Sequence, residues 1–363
     1  MRFIINTFTK WEEPPRARHQ LTYALAKIYD VTFIAANKIG WPYISQHKIN
    51  DKILLIQPVF PIDTRLRYRI PLLNELYQIW LYRALKKKFG KVEVINFDFS
   101  GYLIHKFFNT VYYYCNDNFS AISKKINFWP IFKYHEYCEK RLSKKAAYCF
   151  ATSAMLAENL EQFNKRTYEI PLGGPDITEY KIKPGFNNNK DKTINIGLVG
   201  FISHDKLSSD LINSILDNLD CKLSLIGPVS DDFIKSIKDK TRVSVLGVLT
   251  GENLYNEVNK FDVAIAPYLH KKTDEGNIPN KVFLYIALGK PVVISAMNGL
   301  KRMIIPEKLL YTVERLNEFP DVIMQAHSEN SPELVTRRIN YGLQNTWEKR
   351  IEKFLSIISE KYS

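Results

Sequence analysis

The feature that most constrains this chain is a pattern that stops and then starts again. Short apolar runs alternate with amphipathic segments as far as Tyr180, a polar stretch intervenes at 181–192 (KIKPGFNNNKDK), and the alternation resumes at Thr193. The runs at 3–6, 31–35, 53–59, 92–97, 111–114 and 148–153 read as strands, as do 194–199, 222–226, 243–246, 263–266 and 291–295. Residues 309–312 read as an edge strand. Helical periodicity between such runs makes strand–helix–strand units, which pair into parallel sheets. Pro, Gly and three consecutive Asn mark 181–192 as a linker. The spacing therefore predicts an α/β chain of two Rossmann-like domains, 1–180 and 193–340, with a terminal helix in 341–363. Two such units imply a cleft between them, a favoured place for a ligand.

With 363 residues, 45% of them hydrophobic and 25% charged, the chain has material for two proper cores. No apolar run reaches the length of a transmembrane helix. MRFIINTF leads straight into a strand with no cleavable signal pattern. Cys115, Cys138, Cys149 and Cys221 lack paired or metal-ligand spacing, which suggests a reduced cytoplasmic setting. The formal charge of +13 is unevenly spread: 26 Lys+Arg face 16 Asp+Glu up to Tyr180, and 25 face 22 beyond it. A basic first half favours anionic partners such as lipid headgroups or a phosphate-bearing acceptor. No nucleic-acid-binding motif is present, so nucleic acid is not an expected partner. Segments 63–89 and 128–145 interleave Arg and Lys with Tyr, Trp and Phe. That composition suits peripheral docking on an anionic membrane; it also suits amphipathic helices whose apolar face is core.

The stretch at 274–295, DEGNIPNKVFLYIALGKPVVIS, is a polar loop, a short helix and a buried strand in succession. A loop that opens a helix presents free N–H groups, and the helix dipole favours an anion there. Loops 200–206, 267–280 and 296–300 all follow strand ends, where ligands gather in open α/β sheets. They supply Ser203, His204, Lys206, Thr273, Glu275, Asn277, Asn280 and Lys281, the equipment for a nucleoside diphosphate. No carboxylate cluster of metal-binding design appears, and Asp231–Asp232 reads as a helix cap. The first loop, TKWEEPPRARHQ, lacks GxGxxG but sets Arg16, Arg18 and His19 at a helix start. Asp117 stands just past the strand at 111–114, where it could meet a ligand or cap the next helix.

These segments, taken in order, resemble the GT-B glycosyltransferases, and within them the bacterial enzymes of surface-polysaccharide assembly, the teichuronic-acid type included. The resemblance runs through WEEPPRARHQL, YCNDNFSAI, GGPDITEY, GLVGFISHDKLSSDLI, FDVAIAPY, NIPNKVFLYIALGKPVV and NTWEKRIEKFL. It implies two domains facing each other across a cleft. It also implies transfer of a sugar from a nucleotide-diphosphate donor to a lipid-linked saccharide, with no metal and no cofactor. The donor would lie on the second domain, the acceptor on the first, and the terminal helix would cross back to the first. Lys206, Lys281, Ser203 and Asn280 would hold the diphosphate, while Glu275, Gly276, Asn277 and Thr273 would meet the ribose and sugar. Retaining relatives place glutamates where this chain has Gly276 and Leu284, and a leucine cannot bond a hydroxyl. An inverting reaction would need a base for the acceptor hydroxyl: Asp117 first, His19 second, with Arg16 and Arg18 on the acceptor side. A nucleotide-sugar 2-epimerase shares this architecture and is the alternative reading. The expected location is cytoplasmic, peripheral on the inner face of the membrane.

Overall fold

In a computed structural model, residues 2–180, 182, 185–186, 193–269 and 279–359 are described. The chain divides into two compact units, one built on 2–171 with 350–359, the other on 172–269 with 279–349.

The first unit is a nine-stranded sheet. Its strands are β1 (Arg2–Asn6), β2 (Asp30–Ile34), β3 (Lys38–Ile39), β4 (Tyr43–Lys48) and β5 (Ile53–Phe60), then β6 (Glu93–Asn96), β7 (Thr110–Cys115), β8 (Tyr148–Ala151) and β9 (Thr167–Glu169). The order is β3-β5-β2-β1-β6-β7-β8-β9, parallel throughout except that β4 folds back antiparallel on β5. β1 pairs with both β2 and β6, so the chain switches direction across the sheet there. Central strands are apolar on both faces because helices cover both; β6 and β8 are buried at every residue. From residue 350 the last helix, Trp347–Ser359, belongs to this unit, where Phe354 packs against the rings of Phe3, Tyr112 and Phe150.

The second unit is an all-parallel six-stranded sheet: β10 (Ile194–Val199), β11 (Cys221–Ile226), β12 (Val243–Gly247), β13 (Val263–Ala266), β14 (Val292–Ser295) and β15 (Leu310–Val313), in the order β12-β11-β10-β13-β14-β15. β13 and β14 are wholly buried. The short helix Asn280–Ala287 ends in a turn at Gly289, whose φ of +72° is the left-handed conformation that a glycine cap provides.

Three elements depart from the sequence expectation. The β3–β4 excursion was not foreseen, and neither was β9. Segment 63–89 is two helices, Thr64–Arg67 and Leu73–Phe89, separated at Pro71 and at Leu72, whose φ is +69°. Proline lacks the N–H that a continuous helix needs and disfavours helical backbone before it.

One buried cation holds the far side of the second unit. Arg338, with no exposed surface, donates to Asn330 Oδ1 at 2.7 Å and to the Lys308 carbonyl at 2.8 Å. Lys308 itself sits at φ +64°, an unusual conformation for a side-chain-bearing residue, and this hydrogen bond helps to fix it. We expect Arg338→Leu to orphan both acceptors and to destabilise the protein by about 3 kcal/mol, read as a lower midpoint in urea unfolding.

Candidate active site

In the second unit the site grows from two glycines. Gly200 ends β10 at φ +137° and Gly227 ends β11 at φ +125°. A Cβ on Gly227 would fall 2.2 Å from the Gly200 carbonyl oxygen, so the two strand-end loops run closer together than any side chain permits. A Cβ on Gly200 would fall 2.7 Å from Lys281 Nζ. The lysine ammonium therefore rests directly on the bare backbone at the end of β10.

The helix places it there. Lys281 and Tyr285 are four residues apart and share one face of Asn280–Ala287. The buried Tyr285 hydroxyl accepts a hydrogen bond from the Val199 N–H at 2.7 Å, pinning the helix to the last residue of β10. One turn earlier, Lys281 Nζ lies 5.0 Å from the centroid of the Tyr268 ring. Desolvation among these groups pushes the ammonium down to about 7 from the usual lysine value. Among the described residues no carboxylate forms an ion pair with it. Among the described residues, Ser203 Oγ on the loop after β10 and Asn280 Oδ1 at the start of the helix are buried with no hydrogen-bond partner. An unpaired cation, an idle hydroxyl and an idle amide oxygen at a helix start suit an oxygen-rich anion whose hydroxyls can also donate.

Lys206 stands on the neighbouring loop, exposed, with its backbone fixed at both ends. Its N–H donates to the Ser203 carbonyl at 3.0 Å and its carbonyl accepts from the Leu269 N–H at 3.0 Å. That tie joins the loops after β10 and β13. His204, also exposed, packs on Phe233 and reaches the Asp232 carbonyl at 3.4 Å. Thr273, Glu275, Gly276 and Asn277 lie outside the described residues. Leu284, on the helix itself, is buried.

In the first unit, Arg18 is buried beneath the strand ends, 4.4 Å from the Phe8 ring centroid and bonded to Thr9 Oγ1. Burial pulls its guanidinium down to about 10, and nearby Asp117 opposes that fall. Arg18 also donates to Asn116 Oδ1 at 3.2 Å, and the Asn116 amide donates to Asp117 Oδ2 at 3.1 Å. Asp117 is thus oriented through a relay; the cap of the next helix is Asn118, whose side chain accepts from the Ala121 N–H. Beside Asp117 lies a cavity of about 620 Å³, lined among others by Ser120, Lys133, Tyr137, Glu139 and Phe163. Glu139 accepts from the Tyr113 hydroxyl at 2.6 Å and from the Ser120 hydroxyl at 2.8 Å, and burial raises its carboxyl.

His19 is held differently. Its Nδ1 accepts from the Arg16 N–H at 3.1 Å, which leaves the proton on Nε2, 3.1 Å from the Lys10 carbonyl. The ring stacks on Phe33, and burial lowers its pKa. With both nitrogens engaged by backbone, His19 has no lone pair left to take a proton and acts as a clamp on the loop after β1. Arg16 is exposed and paired with Glu13 at 2.8 Å. The residues that sequence reasoning missed, Gly200, Tyr268, Tyr285 and Asn116, all serve by holding others. Only Tyr285 left a signal, its four-residue spacing from Lys281.

Residues 196–328 match the family model of the glycosyl transferases group 1. No curated protein matches the chain. Among solved structures, a sucrose-phosphate synthase from Thermosynechococcus elongatus is similar over 99% of this chain and 98% of its own, with a TM-score of 0.75 at 14% identity. Anabaena HepE in complex with UDP and glucose is similar over 98% of this chain and 99% of its own, with a TM-score of 0.67 at 14% identity. WaaG, a glycosyltransferase involved in lipopolysaccharide biosynthesis, is similar over 99% of this chain and all of its own, with a TM-score of 0.68 at 13% identity. The chain has the two-domain α/β fold of the GT-B glycosyltransferases, and its second unit carries the group 1 match.

Proposed function

We propose that the protein is a glycosyltransferase that moves a sugar from a nucleotide-diphosphate donor to a saccharide acceptor. The observation that carries this reading is the desolvated Lys281 ammonium on Gly200, together with buried Ser203 and Asn280 side-chain oxygens that have no partner among the described residues. A bound nucleotide-diphosphate sugar would supply negative charge for Lys281, an acceptor oxygen for the Ser203 hydroxyl and hydroxyls that donate to Asn280 Oδ1. As the sugar leaves, charge builds on the departing diphosphate, and Lys281, Lys206 and the helix N–H groups stabilise it without a metal. Glu275, Gly276, Asn277 and Thr273 remain the residues proposed for ribose and sugar. The relay from Arg18 through Asn116 supports Asp117 as the group that deprotonates the acceptor hydroxyl, with His19 and Arg16 shaping the loop beside it. Because HepE was solved with UDP, we take UDP as the nucleotide to test first. A lipid-linked acceptor of bacterial surface-polysaccharide assembly and an anionic membrane complete the proposal.

Three measurements test it. Lys281→Ala and Lys206→Ala should each weaken UDP binding at least tenfold by calorimetry, the loss expected for one charged hydrogen-bonded contact; unchanged affinity and turnover in both variants would place the donor elsewhere. Lys281 in the empty site loses its charge as pH rises through about 7, whereas bound diphosphate favours the charged form. UDP affinity should therefore fall between pH 7 and pH 9 and be nearly flat in Lys281→Arg. Asp117→Asn should lower transfer to acceptor by about a hundredfold while leaving UDP affinity intact. Donor incubated alone separates the alternative chemistry: slow release of free UDP fits a transferase, whereas epimerised donor means a 2-epimerase.

A further inference from the structure

The cavity beside Asp117 belongs wholly to the first unit. It is bounded by the loop after β7 and by the helices Trp129–Lys145 and Ala154–Glu161. At about 620 Å³ it falls in the range of pockets that enclose small molecules. Part of its lining is apolar: Phe119, Leu156 and Leu160 are buried, and Phe163 is half-buried. Another part is polar and fixed. The Ser120 hydroxyl donates to Glu139 Oε2 at 2.8 Å, while the Tyr113 hydroxyl holds Oε1 at 2.6 Å. Asn159 and Gln162 add exposed amides, and the Asp117 carboxylate, oriented by the Asn116 amide, stands past the strand end.

The charge of this lining runs against that of the unit around it. Up to Tyr180 the chain carries 26 Lys and Arg against 16 Asp and Glu. Yet the charged residues that line the cavity are three carboxylates, Asp117, Glu136 and Glu139, against two lysines, Lys133 and Lys140. Lys133 is already paired with Glu136 at 2.8 Å, and the exposed Lys140 ammonium lies 5.8 Å from the Phe163 ring centroid. The nearest arginines are committed elsewhere. Arg18 is buried and bonded to Thr9 and Asn116, and Arg141 donates to the Tyr137 hydroxyl at 3.0 Å. A phosphate or carboxylate entering here would meet three carboxylates with one lysine on the exposed side to answer it. Sugar hydroxyls fit better, since they donate to carboxylates and accept from amides, while the C–H face of the ring packs on apolar side chains. The basic composition of the first half favours a phosphate-bearing acceptor; this lining selects against one at the reacting end.

We infer that the cavity receives the acceptor ring whose hydroxyl attacks, and that this ring is an uncharged pyranose, neither phosphorylated nor a uronic acid. The inference rests on the proposed glycosyl transfer and deepens it by naming the class of ring that Asp117 deprotonates.

The test is saturation-transfer NMR on the full chain at pH 7.5 with no donor present. Methyl β-glucopyranoside, methyl β-galactopyranoside and methyl N-acetyl-β-glucosaminide are the neutral probes; methyl β-glucuronide and glucose 6-phosphate are the anionic ones. We expect at least one neutral probe to bind, and both anionic probes to bind roughly tenfold more weakly, the scale of a like-charge contact near a protein surface. Asn159→Trp changes an exposed helical position and should obstruct the cavity, lowering the affinity for the neutral probe about tenfold or more. Glu136→Gln removes one carboxylate and frees Lys133, and should narrow the gap between neutral and anionic probes roughly fivefold. The idea is overturned if no neutral probe receives saturation, or if the anionic probes bind as tightly as the neutral ones. Unchanged binding in Asn159→Trp would place the saccharide elsewhere, and a gap unmoved by Glu136→Gln would refute selection by charge; either result overturns it. Retained UDP binding shows that each variant folds. Neutral-probe binding by an unaltered protein that does not bind UDP would count against the transferase reading alone.

Discussion

The strand-end loops of the second unit and one short helix converge on a single ammonium, that of Lys281. Taking a lysine from water toward neutrality at pH 7 costs on the order of a few kcal/mol, and folding leaves that cost uncompensated at Lys281 by any carboxylate among the described residues. The parts that impose it are rigid. Gly200 lacks a side chain that would push the ammonium away, Tyr268 offers the face of a ring, and Tyr285 locks the helix to β10 through Val199. A charge held this way gains most from a partner that brings negative charge into the same space, since Coulombic attraction strengthens as water leaves. On the proposed function, the short helix recognises an anion as well as connecting β13 to β14.

The first unit solves the opposite problem. Its arginines near the strand ends are buried, and each bonds to neighbouring polar side chains. Arg67 lies over the Tyr77 ring and bonds to Asn74, with Asp98 3.9 Å away. Asp98 in turn accepts from the Ser100 N–H and hydroxyl. Asn6 bonds to Asn96 across the β1–β6 switch. A network of this kind rigidifies the place where a parallel sheet offers its binding crevice, even with Arg18 Nε and Arg67 Nε left without a partner among the described residues. Asp117 stands at its edge, oriented but only half-buried, which is the condition a proton acceptor needs.

How much of this was legible follows from what each element depends on. Strands such as VAIA of β13 and VVIS of β14 announced themselves because burial on both faces leaves no polar interruption. The β3–β4 excursion did not, because its residues are mostly exposed and Gly40 and Pro42 interrupt it. Pro71 gave a fair warning of a broken helix, but the apolar periodicity on either side of it reads as one segment. In the site, cations and polar side chains were found because their chemistry is visible in a one-letter code. The close approach of two loops at Gly200 and Gly227, and a tyrosine that acts through a strand's last N–H, depend on three-dimensional register. The sequence carries them only as a spacing of four.

The charge of the first half shows why composition alone misleads. A surplus of ten positive residues up to Tyr180 suggests one diffuse basic surface. In the fold those cations separate by role. Arg18 and Arg67 are buried in the strand-end networks and face no solvent anion. Arg16, Lys38, Lys48, Lys52 and Lys133 are spent in surface pairs worth little each. Arg65, Lys124 and Lys125 stay exposed, as do Leu66 next to the first and Ile126 next to the last. The surplus therefore divides into buried, paired and exposed cations, three groups that a count of charges does not tell apart.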